Sequence, residues 1–165
     1  MKELLLVRHA TANEGEQGTK DRERTLSAKG YQDATRLGYY LNKQQQVVDL
    51  MLVSPAQRTR STAEILTEQM HYDGYIDYSD ELYQASVRSV LSLINQQTEE
   101  TNRLLIVGHN PTLTYLAEYL TGEPVSNMAP GGLFILQIPG PWAQVSQQTA
   151  TLGAYLDPEQ LRQQD

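Results

Sequence analysis

The stretch LLLVRHATA, residues 4–12, begins with four apolar residues in a row and then presents Arg8 and His9. Four consecutive apolar residues are typical of a strand that is buried on both faces, as in a parallel sheet covered by helices. An arginine and a histidine directly after such a strand are not ordinary turn residues. The stretch therefore predicts a central strand over residues 3–8 that holds a polar site at its carboxyl end.

Two later segments repeat this design. VVDLMLV, residues 47–53, leads into Ser54, and the strand predicted over residues 103–107 leads into His109. Segments with helical spacing of apolar residues follow both strands, and a further helix capped by Ser27 is predicted between the first two strands. This alternation of strands and helices predicts a mostly parallel sheet with helices on both faces.

The C-terminal part departs from the alternation. Two strands are predicted here, over residues 131–138 and 149–156. A Pro-Gly-Pro-Trp turn lies between them and no helix does, which favours an antiparallel edge of the sheet. Residues 158–165 are polar and are expected to fray or to form a short surface turn. The predicted fold class is α/β: a single three-layer α/β/α domain over residues 1–157, with a mostly parallel central sheet, an antiparallel edge and a polar C-terminal tail.

Composition argues against several classes of function. The chain has 165 residues, a formal net charge of −7 and no cysteine. An acidic chain is a poor ligand for nucleic acid or for an anionic membrane, and without cysteine there are no disulfides or thiolate nucleophiles. The N-terminus does not resemble a signal peptide, and no apolar run has the length of a membrane span. We therefore expect a cytoplasmic protein with no nucleic-acid or membrane partner.

The polar residues at the strand ends are expected to share one site, because ligands of open α/β sheets bind outside the carboxyl ends of the strands. The residues concerned are Arg8, His9, Arg58 and His109. Arginines and helix N-termini bind phosphate oxygens, and a neutral imidazole can attack phosphorus near pH 7. The set predicts a pocket for phosphate or another oxyanion. No metal or cofactor is expected, because arginines repel cations and the histidines lack ligand spacing.

Four segments in order resemble the histidine phosphatase superfamily, also called the phosphoglycerate-mutase-like fold. They are LLLVRHATA, DRERTLSAKG, SPAQRTRSTAE and LLIVGHNP, and they run from residue 4 to about residue 120. The short length and the spellings around Ala10 and in DRERTLS look most like the SixA-type phosphohistidine phosphatases, a compact branch. The resemblance implies the fold of that family for most of the chain.

The resemblance also implies roles for the matching residues. His9 would be the nucleophile that becomes transiently phosphorylated. Arg8, Arg58 and His109 would bind the phosphate, with His109 protonated to stabilise the transferred charge. Arg24 matches a position that can reach the phosphate in short members of the family, although a solvent-exposed loop arginine fits the same pattern.

One departure from the family bears on the substrate. Larger members carry a glutamate acid in an L-x-E setting, where this chain has Leu82, Tyr83 and Gln84, and an amide is not an acid. Glu81 is a nearby candidate acid that lies three residues early. An alkoxide leaving group needs a proton, whereas imidazole leaves a phosphoramidate far more easily. The missing acid therefore favours phosphohistidine over a phosphate ester.

Three functions remain open on the sequence alone. The first is a metal-independent phosphohydrolase with a His9 phosphoenzyme, acting on phosphohistidine in a phosphorylated protein. The second is a phosphomonoesterase of the same superfamily that acts on a small phosphorylated substrate, with Glu81 or a histidine as the acid. The third is a non-catalytic phosphate-binding or protein-interaction module, which would not need the nucleophile.

Overall fold

The central strand predicted from LLLVRHATA runs from Lys2 to Arg8 in a computed structural model that describes residues 1–164. The strands of this part of the chain are β1 (Lys2–Arg8), β2 (Leu50–Val53), β3 (Ile76–Tyr78), β4 (Arg103–Gly108), β5 (Leu133–Ile138) and β6 (Thr151–Leu156). The α-helices are α1 (Ala28–Lys43), α2 (Gln57–Met70), α3 (Val87–Asn95), α4 (Thr112–Thr121) and α5 (Pro158–Arg162).

The strands form one sheet in the order β3-β2-β4-β1-β5-β6. β1, β2, β3 and β4 are parallel, whereas β5 pairs antiparallel with both β1 and β6. Arg8 lies opposite Gly108, and Val53 lies opposite Val107. The predicted α/β class with an antiparallel edge is confirmed, and this register places the ends of β1, β2 and β4 side by side.

Both faces of the sheet are covered by helices. Leu4 and Leu6 of β1 are fully buried in a cluster with residues of α3 and α4, while Leu5 and Val7 are fully buried in a second cluster with residues of α1 and α2. Successive side chains of a strand point to opposite faces, so an apolar run suits a strand that is covered on both sides. The central strand is therefore a rigid support for the residues at its end.

The segment that follows β1 is held by the start of α1. The Ser27 hydroxyl caps the helix by accepting from the Gly30 N–H at 3.0 Å, as predicted, and donates to the Thr11 carbonyl oxygen at 3.0 Å. A Cβ atom at Gly30 would lie 2.1 Å from that oxygen, so only glycine permits the close approach. This docking fixes the chain just beyond His9.

The start of β2 differs from the sequence-based expectation. β2 begins at Leu50 rather than at Val47, which is 69% exposed, because the carboxylate of Asp49 accepts from the backbone N–H of Asn102 and of Arg103 and so begins the pairing there. No helix among residues 1–164 is both long and apolar enough to cross a membrane.

The polar tail is more ordered than predicted. Residues 158–162 form α5, which begins with a capping box at Asp157 and buries Pro158 and Leu161. Arg162 donates to the buried carboxylate of Asp33 on α1 at 2.9 Å. The expectation of a frayed end or a surface turn was wrong for residues 158–162, because the buried side chain of Leu161 and the ion pair of Arg162 with Asp33 attach them to the rest of the domain. Residue 165 of the predicted tail lies outside the described residues.

Candidate active site

A cavity of about 460 Å³ opens at the carboxyl ends of the parallel strands. Arg8 and His9 reach it from the end of β1, Arg58 from the first turn of α2, and His109 from the turn after β4. The four residues that the sequence assigned to one pocket therefore line one cavity. Among residues 1–164, no group of three or more His, Cys, Asp or Glu residues is arranged to hold a metal ion.

His9 presents a defined tautomer. Its Nδ1 lies 2.8 Å from the carbonyl oxygen of Ala10, and because a carbonyl only accepts, Nδ1 carries the proton and Nε2 keeps its lone pair. Burial, and then the nearby Arg58 and Arg8, lower the pKa of His9 to about 4, against the opposing effect of the Ala10 hydrogen bond. The ring is thus neutral at pH 7, which is the state that a nucleophile requires.

His109 is held between a cation and a hydroxyl. Its Nε2 lies 2.8 Å from Ser54 Oγ, and its Nδ1 lies 3.5 Å from an Nη of Arg58, which can only donate. Nδ1 is therefore the acceptor, and Nε2–H donates to the hydroxyl.

The low pKa of His109 belongs to the unliganded pocket, whereas the protonated state that the resemblance implied concerns a pocket that holds the transferred phosphoryl group. Burial, followed by the neighbouring His9 and Arg58, lowers the pKa of His109 to about 3, so the ring is neutral at pH 7. A phosphoryl dianion among these groups would offset the cations and raise that pKa.

Ser54 has a role at the site that the sequence did not reveal. A serine followed by a proline is typical of a helix start, and the Ser54 hydroxyl does accept from the Ala56 N–H, at a long 3.5 Å. Its shorter contact is with His109, and the residue is fully buried. A serine before a proline at a strand end is already explained by the start of a helix. Nothing in the sequence therefore distinguishes a residue that only caps α2 from one that also contacts His109.

We expect Ser54→Ala to lower kcat about 10-fold, since it removes one buried hydrogen bond that orients an imidazole. Ser54→Thr keeps the hydroxyl and should recover most of the loss. NMR of the His109 ring carbons measures the tautomer directly, and thermal unfolding measures the fold separately. A variant with full kcat and an unchanged His109 tautomer would show that Ser54 has no part in positioning the ring.

Arg8 and Arg58 are each held through their terminal guanidinium nitrogens. An Nη of Arg8 donates to the Met128 carbonyl oxygen at 2.7 Å, and an Nη of Arg58 donates to the Asp21 carbonyl oxygen at 2.7 Å. The Nε atoms of both arginines are buried and have no hydrogen-bond partner in the described residues. Buried N–H groups without acceptors are costly, and the oxygens of a phosphoryl group are suitable acceptors for a guanidinium.

Asp21 is the site residue that sequence reasoning missed. Its carboxylate lies 3.0 Å from Arg58 and accepts from the Tyr83 hydroxyl at 2.6 Å, and its second oxygen lies 3.3 Å from Arg24. The hydrogen bond from Tyr83, and then the contacts with Arg58, lower the pKa of Asp21 to about 2. The carboxylate is thus ionised at neutral pH and accepts hydrogen bonds without donating one.

The remaining sequence candidates separate clearly. Arg24 lines the cavity and also donates from Nε to the Asn13 carbonyl oxygen at 2.8 Å. Gln84 lines the cavity, but Glu81 is exposed on a 3₁₀ turn and is not part of the cavity wall. The structure therefore brings Arg24 to the pocket and leaves the candidate acid Glu81 outside it.

The protein is therefore an α/β protein with two imidazoles and two arginines in one cavity at the carboxyl edge of its sheet, an arrangement suited to a phosphoryl group. The sequence profile of the histidine phosphatase superfamily (branch 1) matches residues 4–83. An uncharacterized protein of Mycobacterium tuberculosis (strain H37Rv) is 31% identical over 145 residues, which cover 82% of this chain and 89% of that protein. The chain belongs to the histidine phosphatase superfamily.

Solved structures agree with this assignment. A protein of Agrobacterium tumefaciens assigned as the phosphohistidine phosphatase SixA is 29% identical with a TM-score of 0.84, over 95% of this chain and 98% of that one. A second protein assigned as SixA, from Nakamurella multipartitia, is 28% identical with a TM-score of 0.83, over 95% of this chain and 96% of that one. The protein histidine phosphatase SixA in complex with tungstate, at 20% identity and a TM-score of 0.85 over 96% and 99% of the chains, shares the fold.

Proposed function

We propose that this phosphatase hydrolyses phosphohistidine in proteins, through a phosphoenzyme on His9 and without a metal. The observation that carries the proposal is the state of His9: a neutral ring with its proton fixed on Nδ1, beside Arg8 and Arg58 in one cavity. A module that only binds phosphate would need the arginines but not a neutral imidazole with a free nitrogen.

The first half of the reaction transfers the phosphoryl group to the enzyme. The Nε2 lone pair of His9 attacks phosphorus, and the bond from phosphorus to the leaving nitrogen breaks on the opposite side, so its electron pair goes to the departing imidazole. The guanidinium groups of Arg8 and Arg58 stabilise the charge on the equatorial oxygens. In the second half, the oxygen of a water molecule attacks phosphorus and the P–Nε2 bond breaks, with its electron pair remaining on Nε2. Inorganic phosphate departs with the protons of that water, and the ring is neutral again with its proton on Nδ1.

The groups of the cavity wall favour a nitrogen leaving group. Gln84 stands where larger family members carry an acid, Glu81 lies outside the wall, and Asp21 is ionised. An alkoxide would thus leave without a carboxylic acid to protonate it, whereas an imidazole that carries a proton on its distal nitrogen leaves as a neutral molecule. The same reasoning makes a phosphomonoesterase for alkyl phosphates the weaker alternative.

A substrate comparison tests this proposal. We expect kcat/KM for a phosphohistidine-bearing phosphotransfer protein and for phosphoimidazole to exceed that for an alkyl phosphate by about 10²-fold or more, since general acid catalysis is worth about that much. Activity should persist after dialysis against a metal chelator. Preference for the alkyl ester would contradict the substrate, and loss of activity that is restored by an added divalent metal would contradict the metal-free mechanism.

A further inference from the structure

The carboxylate of Asp21 is the one anion among the ionised groups of the cavity wall in residues 1–164. The side chain of Asp21 is 51% exposed, while that of its partner Arg58 is 8% exposed. Asp21 therefore lies at the mouth of the cavity, and the guanidinium of Arg58 lies deeper.

A row of contacts connects this mouth to the nucleophile. The rings of His9 and His109 lie 5.5 Å apart between centroids, and Tyr83 packs edge-on against His109 at 5.7 Å. The Tyr83 hydroxyl then donates to Asp21. In-line transfer to His9 requires the leaving group to depart on the side opposite His9. The exposed mouth beside Asp21 is where a leaving group can pass to solvent.

The charges of the wall define what fits there. Before substrate binds, Arg8, Arg24 and Arg58 with the single carboxylate of Asp21 give the wall a net charge of +2, since both cavity histidines are neutral in the unliganded pocket. This charge balances that of a phosphoryl dianion, so no excess positive charge remains to bind a further negative group on the substrate. A carboxylate on the leaving group would instead meet the carboxylate of Asp21.

We infer that Asp21 selects the leaving group: it accepts a hydrogen bond from an N–H of a phosphorylated imidazole and turns away leaving groups that carry a negative charge. The inference rests on the proposed function and names the residue that would set its preference. Asp21 acts by its charge and its acceptor oxygens, not as a proton donor.

The chemistry of the bond explains why an acceptor helps. A phosphoimidazole protonated on its distal nitrogen departs as neutral imidazole: the electron pair of the P–N bond moves to the departing nitrogen, and the distal nitrogen keeps its proton. A carboxylate that accepts from the distal N–H stabilises this protonated form of the bound substrate. A phosphate ester has no such N–H and gains nothing from the contact.

The test compares substrates in Asp21→Asn. We expect the ratio of kcat/KM for phosphoimidazole to that for p-nitrophenyl phosphate to fall about 10- to 100-fold, the effect of losing one charge-assisted hydrogen bond. Turnover of a carboxylated ester such as 3-phosphoglycerate should rise. With phosphoimidazole, the pH above which kcat declines should move lower, because the bound substrate loses its proton more easily.

Glu23→Gln is the matched control, since it makes the same change on an exposed residue of the same turn outside the cavity wall. All ratios should stay at the parent values in this variant. Equal losses with every substrate in Asp21→Asn, without a shift in the pH profile, would mean that Asp21 only positions Arg58 and would overturn the inference. Failure of the parent protein to hydrolyse phosphoimidazole while it hydrolyses esters would instead overturn the proposed function.

Discussion

The variant His9→Ala is expected to lose turnover of all phosphorylated substrates by more than about 10⁴-fold, as for loss of a covalent nucleophile. The reason is that the neutral Nε2 of His9 would form the bond to phosphorus, and no other residue near it offers a free nitrogen in the same position. The measurement is a pulse with a radiolabelled phosphoryl donor, followed by alkaline gel electrophoresis. The parent should carry an acid-labile label, and the variant should carry none.

The third histidine of the chain provides the control. His71 ends α2 with a left-handed backbone at φ 54° and lies outside the cavity wall, so asparagine, which tolerates that conformation, is the matched replacement. His71→Asn should keep both the label and the turnover of the parent. A label that persists in His9→Ala would contradict the assignment of the nucleophile, and turnover without any label in the parent would contradict the covalent intermediate.

The sheet and its strand ends could be predicted from the sequence because one physical cause dominates there. An apolar run such as Leu4–Val7 is stable only when both faces of the strand are covered, and this requirement fixes its place in the centre of the sheet. Once β1, β2 and β4 are parallel neighbours, Arg8, Ser54 and His109 must meet at one edge. The predicted pocket follows from topology, without any knowledge of side-chain contacts.

The contacts of Asp21 could not be predicted in this way. Residues 13–24 have no apolar periodicity, so nothing in their pattern states which polar side chain turns inward. Asp21 meets Arg58 across 37 positions and Tyr83 across 62 positions of the sequence. Such pairings depend on how a loop closes over a finished sheet, and a local pattern carries no information about that step.

The pKa of His109 in the unliganded pocket could not be predicted from the sequence, for a related reason. The sequence indicates which groups are near the ring, but the pKa depends on how much water remains around it. Burial is the largest cause of the low pKa of His109, ahead of the neighbouring His9 and Arg58. A family resemblance identifies the residue at a position but not how much water surrounds its side chain. The loss of water that lowers this pKa depends on how the unliganded pocket is packed.

Arg58→Ala is expected to lower kcat about 10²- to 10³-fold, the cost of removing one preorganised donor to developing charge. Arg58 is buried and is held by two hydrogen bonds to Asp21, so its guanidinium is oriented before substrate binds. The measurement is the rate of phosphoenzyme formation in a single turnover, together with kcat and KM. Arg58→Lys keeps the charge without the planar fork and should fall between the parent and Arg58→Ala.

Arg60 provides the matched control on the same helix. It lies two residues after Arg58 and outside the cavity wall. It donates to the Pro55 carbonyl oxygen, and its guanidinium carbon lies 4.1 Å from the ring centroid of Tyr78. Arg60→Lys should therefore leave kcat at the parent value, and the midpoint of thermal unfolding will show whether either variant has lost its fold. If Arg58→Ala raised KM and left kcat unchanged, Arg58 would bind substrate and transition state equally, and its part in stabilising the transferred phosphoryl group would be refuted.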